Sequence, residues 1–93
     1  MLMIFEFRDF TPIEAFVLAR DFERAEEMFD RHLRAHGGDP DTIMWRQWTL
    51  RKIGEPQQTH VREALALKHE GLLISDTDEH WTFVASDGDP PNR

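Results

Sequence analysis

Residues 15–19, Ala-Phe-Val-Leu-Ala, decide the fold because all five side chains are apolar. A short run of this kind is typical of a strand in the middle of a sheet, where both faces are buried. The preceding residues 2–8 alternate instead, with Met3, Phe5 and Phe7 on one side, which predicts a strand with one buried face. The two strands are close enough in sequence to pair as a hairpin.

Two helices are predicted from caps and apolar spacing. Asp21 is suited to cap a helix over residues 22–36, whose apolar side chains recur at intervals of three and four residues. Two glycines follow that helix and end it. A second helix is expected over residues 57–70, with Gly71 as the left-handed residue after its last turn.

The segment between the helices leaves two interpretations open. Its content of Ile, Trp and Thr favours a strand over residues 43–49. A helix would instead group Met44, Trp48 and Arg51 on one side. In a strand, Trp45 and Trp48 cannot share a face, so one of them is expected to point away from the helices and to lie in a contact surface.

Apolar residues 72–74 and 81–84 predict a last hairpin around a polar turn. The predicted fold is therefore α+β: a small antiparallel sheet, in the order β-β-α-β-α-β-β, with two helices packed on one face. Residues 1–85 form a single domain in this interpretation. Residues 86–93 carry no apolar side chain that could dock, and we expect them to be a disordered C-terminal tail.

The composition limits the possible functions. The chain has 93 residues, with 18 acidic against 11 basic side chains and a formal net charge of −7. Binding to nucleic acid or to an anionic membrane needs a surplus of Lys and Arg, so this balance argues against both. The absence of cysteine excludes disulfides, thiolate metal sites and a cysteine nucleophile. Neither a signal peptide nor a membrane span is recognisable, and we expect a cytoplasmic protein.

No motif for catalysis or cofactor binding is present in the sequence. His32 and His36 have the spacing of half a zinc site, but no pattern supplies the remaining ligands. Carboxylates are abundant, Asp9 and Glu14 among them, yet acid–base catalysis needs a carboxyl in a desolvated pocket. There is no glycine-rich phosphate loop and no Gly-x-Ser-x-Gly motif. We therefore expect no metal, no cofactor and no enzymatic activity, with a small enzyme or ligand-binding domain as the second alternative.

A short helix and turn over residues 50–54, a helix over 57–69 and a hairpin over 71–84 follow one another in the sequence. This order resembles the second half of a winged-helix DNA-binding domain, in which the last helix enters the DNA groove and the hairpin forms the wing. The resemblance covers residues 49–84 and implies a winged-helix-like transcription regulator. The tip of that hairpin is acidic, however, and would repel phosphate.

Charge and aromatic content indicate where a partner would bind. Residues 42–54 contain no acidic side chain, whereas the last hairpin and the tail contain no basic one until the final residue. Trp and Arg are the residues most enriched at binding hot spots, and an acidic surface steers a basic partner. The candidate partner surface consists of Trp45, Arg46, Trp48, Arg51, Asp76, Asp78 and Glu79.

These observations together predict a small acidic, non-enzymatic protein that acts by protein–protein interaction. Inhibitors, antitoxins and accessory subunits of bacterial or phage systems are proteins of this kind. The expected partner is another protein with a basic surface, and a homodimer is left open. The alternative is the winged-helix-like DNA-binding regulator.

Overall fold

The computed structural model describes residues 1–8, 14–77 and 80–85. In chain order they form β1 (Met3–Arg8), β2 (Glu14–Ala19), α1 (Phe22–Ala35), β3 (Met44–Trp48), α2 (Gln57–Ala66), β4 (Gly71–Thr77) and β5 (His80–Ala85). Short 3-10 helices, Pro40–Thr42 and Leu50–Lys52, stand on either side of β3. The predicted α+β class and the order β-β-α-β-α-β-β are confirmed, and the ambiguous segment is a strand.

The five strands form one antiparallel sheet in the order β3-β1-β2-β4-β5. In the first hairpin Met3 stands opposite Ala19, and β1 pairs on its other side with β3, where Ile4 stands opposite Trp48. Strand β2 pairs next with β4, and β4 with β5. Both predicted hairpins are present. Strand β2 lies at the centre, as its unbroken apolar sequence predicts, and β3 and β5 are the edges.

Side chains of alternate residues in the sheet build two separate cores. Phe5, Phe7 and Val17 point to one face, where α1 covers them with Met28, Phe29 and Leu33. The opposite face is built on Ile4, Phe16, Leu18 and Leu73, and α2 covers it with Val61 and Ala64. Each helix therefore closes a core of its own, and the sheet is the middle layer of three.

The positions of the helices differ from the prediction, which placed both on one face. The reason is that β2 carries large apolar side chains on both of its faces, with Val17 on one and Phe16 and Leu18 on the other. A single helical layer would leave the Phe16 face in water. The free energy gained by burying apolar surface therefore favours one helix on each side of the sheet.

Helix α1 has the predicted beginning and end. The Asp21 side chain accepts a hydrogen bond from the backbone N–H of Arg24 at 2.8 Å, which satisfies one free donor of the first turn. The helix ends at Ala35, and Gly37 follows with φ 77°, a conformation that glycine adopts at little cost. The backbone N–H of Gly38 then donates to the Leu33 carbonyl at 2.8 Å.

Helix α2 ends four residues earlier than predicted, at Ala66. The left-handed residue after it is Lys68, with φ 56°, and not Gly71. Gly71 instead begins β4 in a crowded position, where an added Cβ would lie 2.6 Å from the Phe83 ring. Close packing between β4 and β5 therefore requires glycine at this position. The prediction of Gly71 as the left-handed residue that follows the second helix was wrong.

The residue between α2 and β4 that anchors this connection is Glu70, whose side chain is only 4% exposed. Its carboxylate accepts hydrogen bonds from the Arg20 backbone N–H at 2.9 Å and from the Arg24 guanidinium at 3.0 Å. Burial raises the pKa of Glu70, but these two donors outweigh it and hold the pKa below its usual range. The carboxylate therefore ties the start of β4 to the junction of β2 and α1.

Two predicted features lie outside the described residues: the tail over residues 86–93, and the hairpin tip with Asp78 and Glu79. Within the described ranges, none of the helices has the length and apolar character needed to cross a membrane.

Substitution of the buried carboxylate, Glu70→Gln, should lower the free energy of unfolding by about 2 kcal/mol near neutral pH, because charged hydrogen bonds are lost. The folded pKa lies below the unfolded value of ~4.3, so the carboxylate stabilises the fold above about pH 5 and this contribution disappears as the pH falls. Urea unfolding of both proteins at several pH values measures the difference. An equal effect of the exposed control Glu26→Gln, or a difference that does not shrink as the pH falls below about 5, would contradict the assignment.

The left-handed backbone of Lys68 allows a second test of the fold. Lys68→Gly should raise stability by up to about 1 kcal/mol, because a side chain at positive φ is strained and glycine is not. A gain of 1 kcal/mol corresponds to roughly 4–8 °C in melting temperature for a domain of this size, so the expected rise is at most of that order. The same change two residues earlier, Ala66→Gly, lies in the last turn of α2 and should lower stability, by less than the about 1 kcal/mol that glycine costs in a helix interior. A lower melting temperature for Lys68→Gly would contradict a positive φ at Lys68.

Candidate functional site

Strand β3 lies at an edge of the sheet. Among residues 1–8, 14–77 and 80–85, its one neighbour in the sheet is β1, and the register between them runs without interruption from Ile4–Trp48 to Arg8–Met44. Natural edge strands are commonly protected by charged side chains, especially lysine, by proline or by a bulge. Residues 44–48 contain neither lysine nor proline, their register with β1 is regular, and Arg46 is their one charged residue. The strand therefore presents a regular row of backbone donors and acceptors to any chain that approaches it.

Trp45 is the largest exposed apolar side chain on this edge. Its ring packs on Phe22 of α1, with the ring centroids 4.4 Å apart, and approaches Phe5 at 6.3 Å. The residue nevertheless remains 53% exposed, and its neighbour Met44 is 47% exposed. One side of the indole is thus held by the α1 core, and the other side is available for contact.

Trp48 lies on the opposite face, and its position is fixed by polar contacts. Its indole N–H donates to the Glu6 carboxylate at 3.0 Å, and its ring packs against the α2 core. The guanidinium carbon of Arg46 lies 5.1 Å from the ring centroid, within the range of a cation–π contact. Trp45 and Trp48 are on different faces, as predicted for a strand. Neither points away from the helices, because a helix covers each face.

The predicted partner surface is only partly contiguous. Trp45, Arg46 and Trp48 lie together on β3, and Arg51 is exposed in the 3-10 helix that begins two residues later. Asp76 lies in β4, which β1 and β2 separate from β3. Asp78 and Glu79 lie outside the described residues. The structure therefore brings together the aromatic and basic members of the predicted surface and leaves Asp76 elsewhere.

Glu6 and Glu14, a pair of carboxyl groups that was not predicted from the sequence, lie on neighbouring strands. They line a cleft of about 220 Å³ together with Phe16, Trp48 and Gln57. Burial raises the pKa of Glu14, the nearby Glu6 carboxyl raises it further, and Arg8 opposes both. The sequence indicates only that Glu6 belongs to β1 and Glu14 to β2. Their proximity follows once the register of that hairpin is known.

The two carboxyl groups of this cleft differ in their partners. A raised pKa suits a proton donor, but the Glu6 carboxylate is already engaged by Trp48. Across the described part of the chain, no group of three or more His, Cys, Asp or Glu residues could hold a metal ion. The cleft therefore places Glu14, a carboxyl group of raised pKa, beside a carboxylate that accepts a hydrogen bond from Trp48.

His32 and His36 lie together in the last turns of α1, with ring centroids 4.3 Å apart. They line an apolar cleft of about 200 Å³ between the helix and the strands β4 and β5. The Nδ1 atom of His36 lies 2.9 Å from the His32 carbonyl oxygen. Burial lowers the pKa of His32, and the nearby His36 lowers it further. The His36 ring thus forms a hydrogen bond with a carbonyl group in the last turn of the helix, which is a structural role.

The helix implied as a DNA-reading element by the winged-helix resemblance is α2. It buries Val61 and Ala64 against the sheet. On its exposed side, the Arg62 guanidinium donates to Gln58 at 2.7 Å, and Glu63 lies next to it. The strands that follow belong to a five-stranded sheet, in which β4 pairs with β2. The outer face of α2 thus offers phosphate a mixed charge.

Comparisons of this chain with protein-family models, with curated proteins and with solved structures find no significant match.

The Glu6–Glu14 pair predicts an unusual pH dependence of stability. A folded pKa above the unfolded value means that ionised Glu14 destabilises the fold, so stability is fully present below the unfolded pKa of ~4.3 and is lost as the pH rises through the folded pKa. Glu14→Gln should therefore raise the melting temperature near pH ~7 and leave it unchanged near pH ~3. Thermal melts across this range, with exposed Glu63→Gln as the control, measure the effect. A lower melting temperature for Glu14→Gln near neutral pH would show that the contact with Arg8 dominates.

Proposed function

We propose that this protein is a small, non-enzymatic binding protein of the inhibitor, antitoxin or accessory-subunit type, and that β3 is its contact strand. The observation that carries the proposal is the half-exposed Trp45 on a regular sheet edge. A partner would bind by adding a strand to this edge. In strand addition, main-chain hydrogen bonds supply affinity and side chains on alternate positions supply specificity.

The side chains of β3 support both parts of this mode of binding. On the α1 side, Trp45 offers a ring that is already anchored on Phe22, so little conformational entropy is lost when a partner covers it. On the α2 side, Arg46 is held over Trp48, and Met44 is exposed beside it. An aromatic anchor next to an ordered arginine is the composition typical of a binding hot spot.

The sign of the charge differs between the contact strand and the rest of the surface. The net charge is −7, yet residues 42–54 contain Arg46, Arg51 and Lys52 and no acid. The acidic remainder would steer a partner with a basic surface toward the protein and keep acidic proteins away. The β3 edge itself would then contribute contact area without adding acidic charge.

The test is loss of partner binding on substitution of the anchor, Trp45→Lys. A lysine on an edge strand opposes strand addition, and loss of a hot-spot aromatic costs about 2 kcal/mol, or roughly 30-fold in Kd. Affinity capture from cells of the natural source, with mass spectrometry, identifies the bound proteins, including untagged copies of the chain itself. Calorimetry with the purified partner then gives the Kd for each variant.

The matched control is Leu67→Lys, since Leu67 is 60% exposed and follows α2, away from β3. It adds the same charge and should leave the Kd unchanged. Circular dichroism establishes that both variants fold. Equal Kd values for the two variants, or loss of binding in both, would rule out β3 as the contact strand.

A further inference from the structure

We infer that the segment which pairs with β3 is a strand of a partner protein that carries a basic residue opposite Trp45 and, next to it in sequence, an acidic residue opposite Arg46. This inference rests on the proposed function and names the chemistry of the partner. Neighbouring residues of a strand point to opposite faces of the sheet, so these two residues meet different surroundings. The side chains of this protein on each face determine which charge fits there.

On the face covered by α1, the edge is bordered by carboxylates. Trp45 packs on Phe22, and Glu26 follows Phe22 by one helical turn, on the same side of α1. Glu23 and Glu26 line a groove of about 430 Å³. Ile43 forms another part of its wall and lies two residues before Trp45, on the same face of the sheet. The exposed side of the indole therefore borders acidic side chains.

Two carboxylates of this groove have no cationic partner in the described part of the chain. Glu27, which also lines the groove, lies 3.0 Å from the Arg24 guanidinium, whereas neither Glu23 nor Glu26 forms an ion pair with a described residue, and both are exposed. A basic side chain opposite Trp45 would lie along the exposed face of the indole and bring its charge to them. An apolar side chain there would cover the carboxylates without pairing them, which costs free energy.

On the opposite face, the edge carries positive charge at Arg46. This residue is exposed, and its guanidinium carbon lies 5.1 Å from the Trp48 ring centroid. Its neighbour in β1 is Glu6, whose carboxylate accepts a hydrogen bond from the Trp48 indole. The partner would fill the position on the other side of Arg46. Opposite charges directly across two strands stabilise the pair and like charges destabilise it, so an acidic residue fits there.

The two faces together specify a sequence pattern for the partner strand. Because Trp45 and Arg46 are adjacent, the fitting segment has a basic and an acidic residue side by side among residues of high strand propensity. An antiparallel strand presents them in the order acidic–basic, and a parallel strand in the reverse order. Residues 44–48 contain no acidic side chain, so a second copy of β3 does not have this pattern.

Selection from a random peptide library tests the inference without a known partner. Peptides of about eight randomised residues, long enough to form a strand, are displayed on phage and selected on the immobilised protein, with depletion on the variant Trp45→Lys. Adjacent basic and acidic residues should become several-fold more frequent in the retained peptides than in the unselected library. Binding should weaken as the salt concentration rises, because exposed ion pairs are screened.

A retained peptide, synthesised with a fluorescent label, then gives the Kd for each variant by anisotropy at low salt. Glu26→Gln should weaken binding by about 2- to 5-fold, the range expected for one exposed ion pair. The control Glu63→Gln removes the same charge from the exposed side of α2 and should leave the Kd unchanged. When glutamine replaces the basic residue of the peptide, Glu26→Gln should have no further effect, because the pair is already broken.

The outcomes separate this inference from the proposed function. Retained peptides that require Trp45 but contain no basic residue would overturn the inference and leave β3 as the contact strand. Equal effects of Glu26→Gln and Glu63→Gln on the Kd would overturn it as well. If no peptide is retained, the inferred recognition of an isolated segment fails, and loss of a captured protein by Trp45→Lys still supports the proposed function. Peptides that bind Trp45→Lys and the unsubstituted protein equally would contradict both.

Discussion

Burial of β2 on both of its faces is the constraint on which the rest of the structure depends. Residues Ala15–Ala19 are almost completely inaccessible to water, and β1 and β4 occupy the two sides of the strand. Each face of the strand must be covered because each carries large apolar groups. Helix α1 covers the Val17 face and α2 covers the Phe16 face, and a single helix could not cover both faces.

The same constraint produces the open edge. The chain leaves β2 through α1 and returns beyond β1, so β3 becomes the outermost strand on that side. Its Trp45 completes the aromatic group around Phe22. Because β3 is an edge strand, core residues cover only one side of the indole, and the other side is exposed. Exposure of Trp45 is thus a consequence of the three-layer packing. An interface at this edge would complete the burial that the isolated chain leaves unfinished.

Much of the fold could be predicted from residue periodicity, because caps and apolar spacing act locally. The bounds of α1 follow from Asp21 and the two glycines after the helix, and the central place of β2 follows from its sequence. The face of the sheet that α2 covers could not be predicted from the sequence. It depends on which alternating side chains of three neighbouring strands lie on the same face, and this follows only from the strand register. Glu70 was missed because its donors, Arg20 and Arg24, are distant in sequence. The Glu6–Glu14 pair required the strand register for the same reason.

Amide hydrogen exchange resolved to single residues tests the central claim most directly: a fully buried central strand, and an edge strand that pairs on one side. The account predicts that amides of β2 exchange slowest. In β3, the amides that donate to β1 should be protected, and the alternate amides on its outer side should exchange rapidly. Uniform protection along β3, or rapid exchange in β2, would contradict the account.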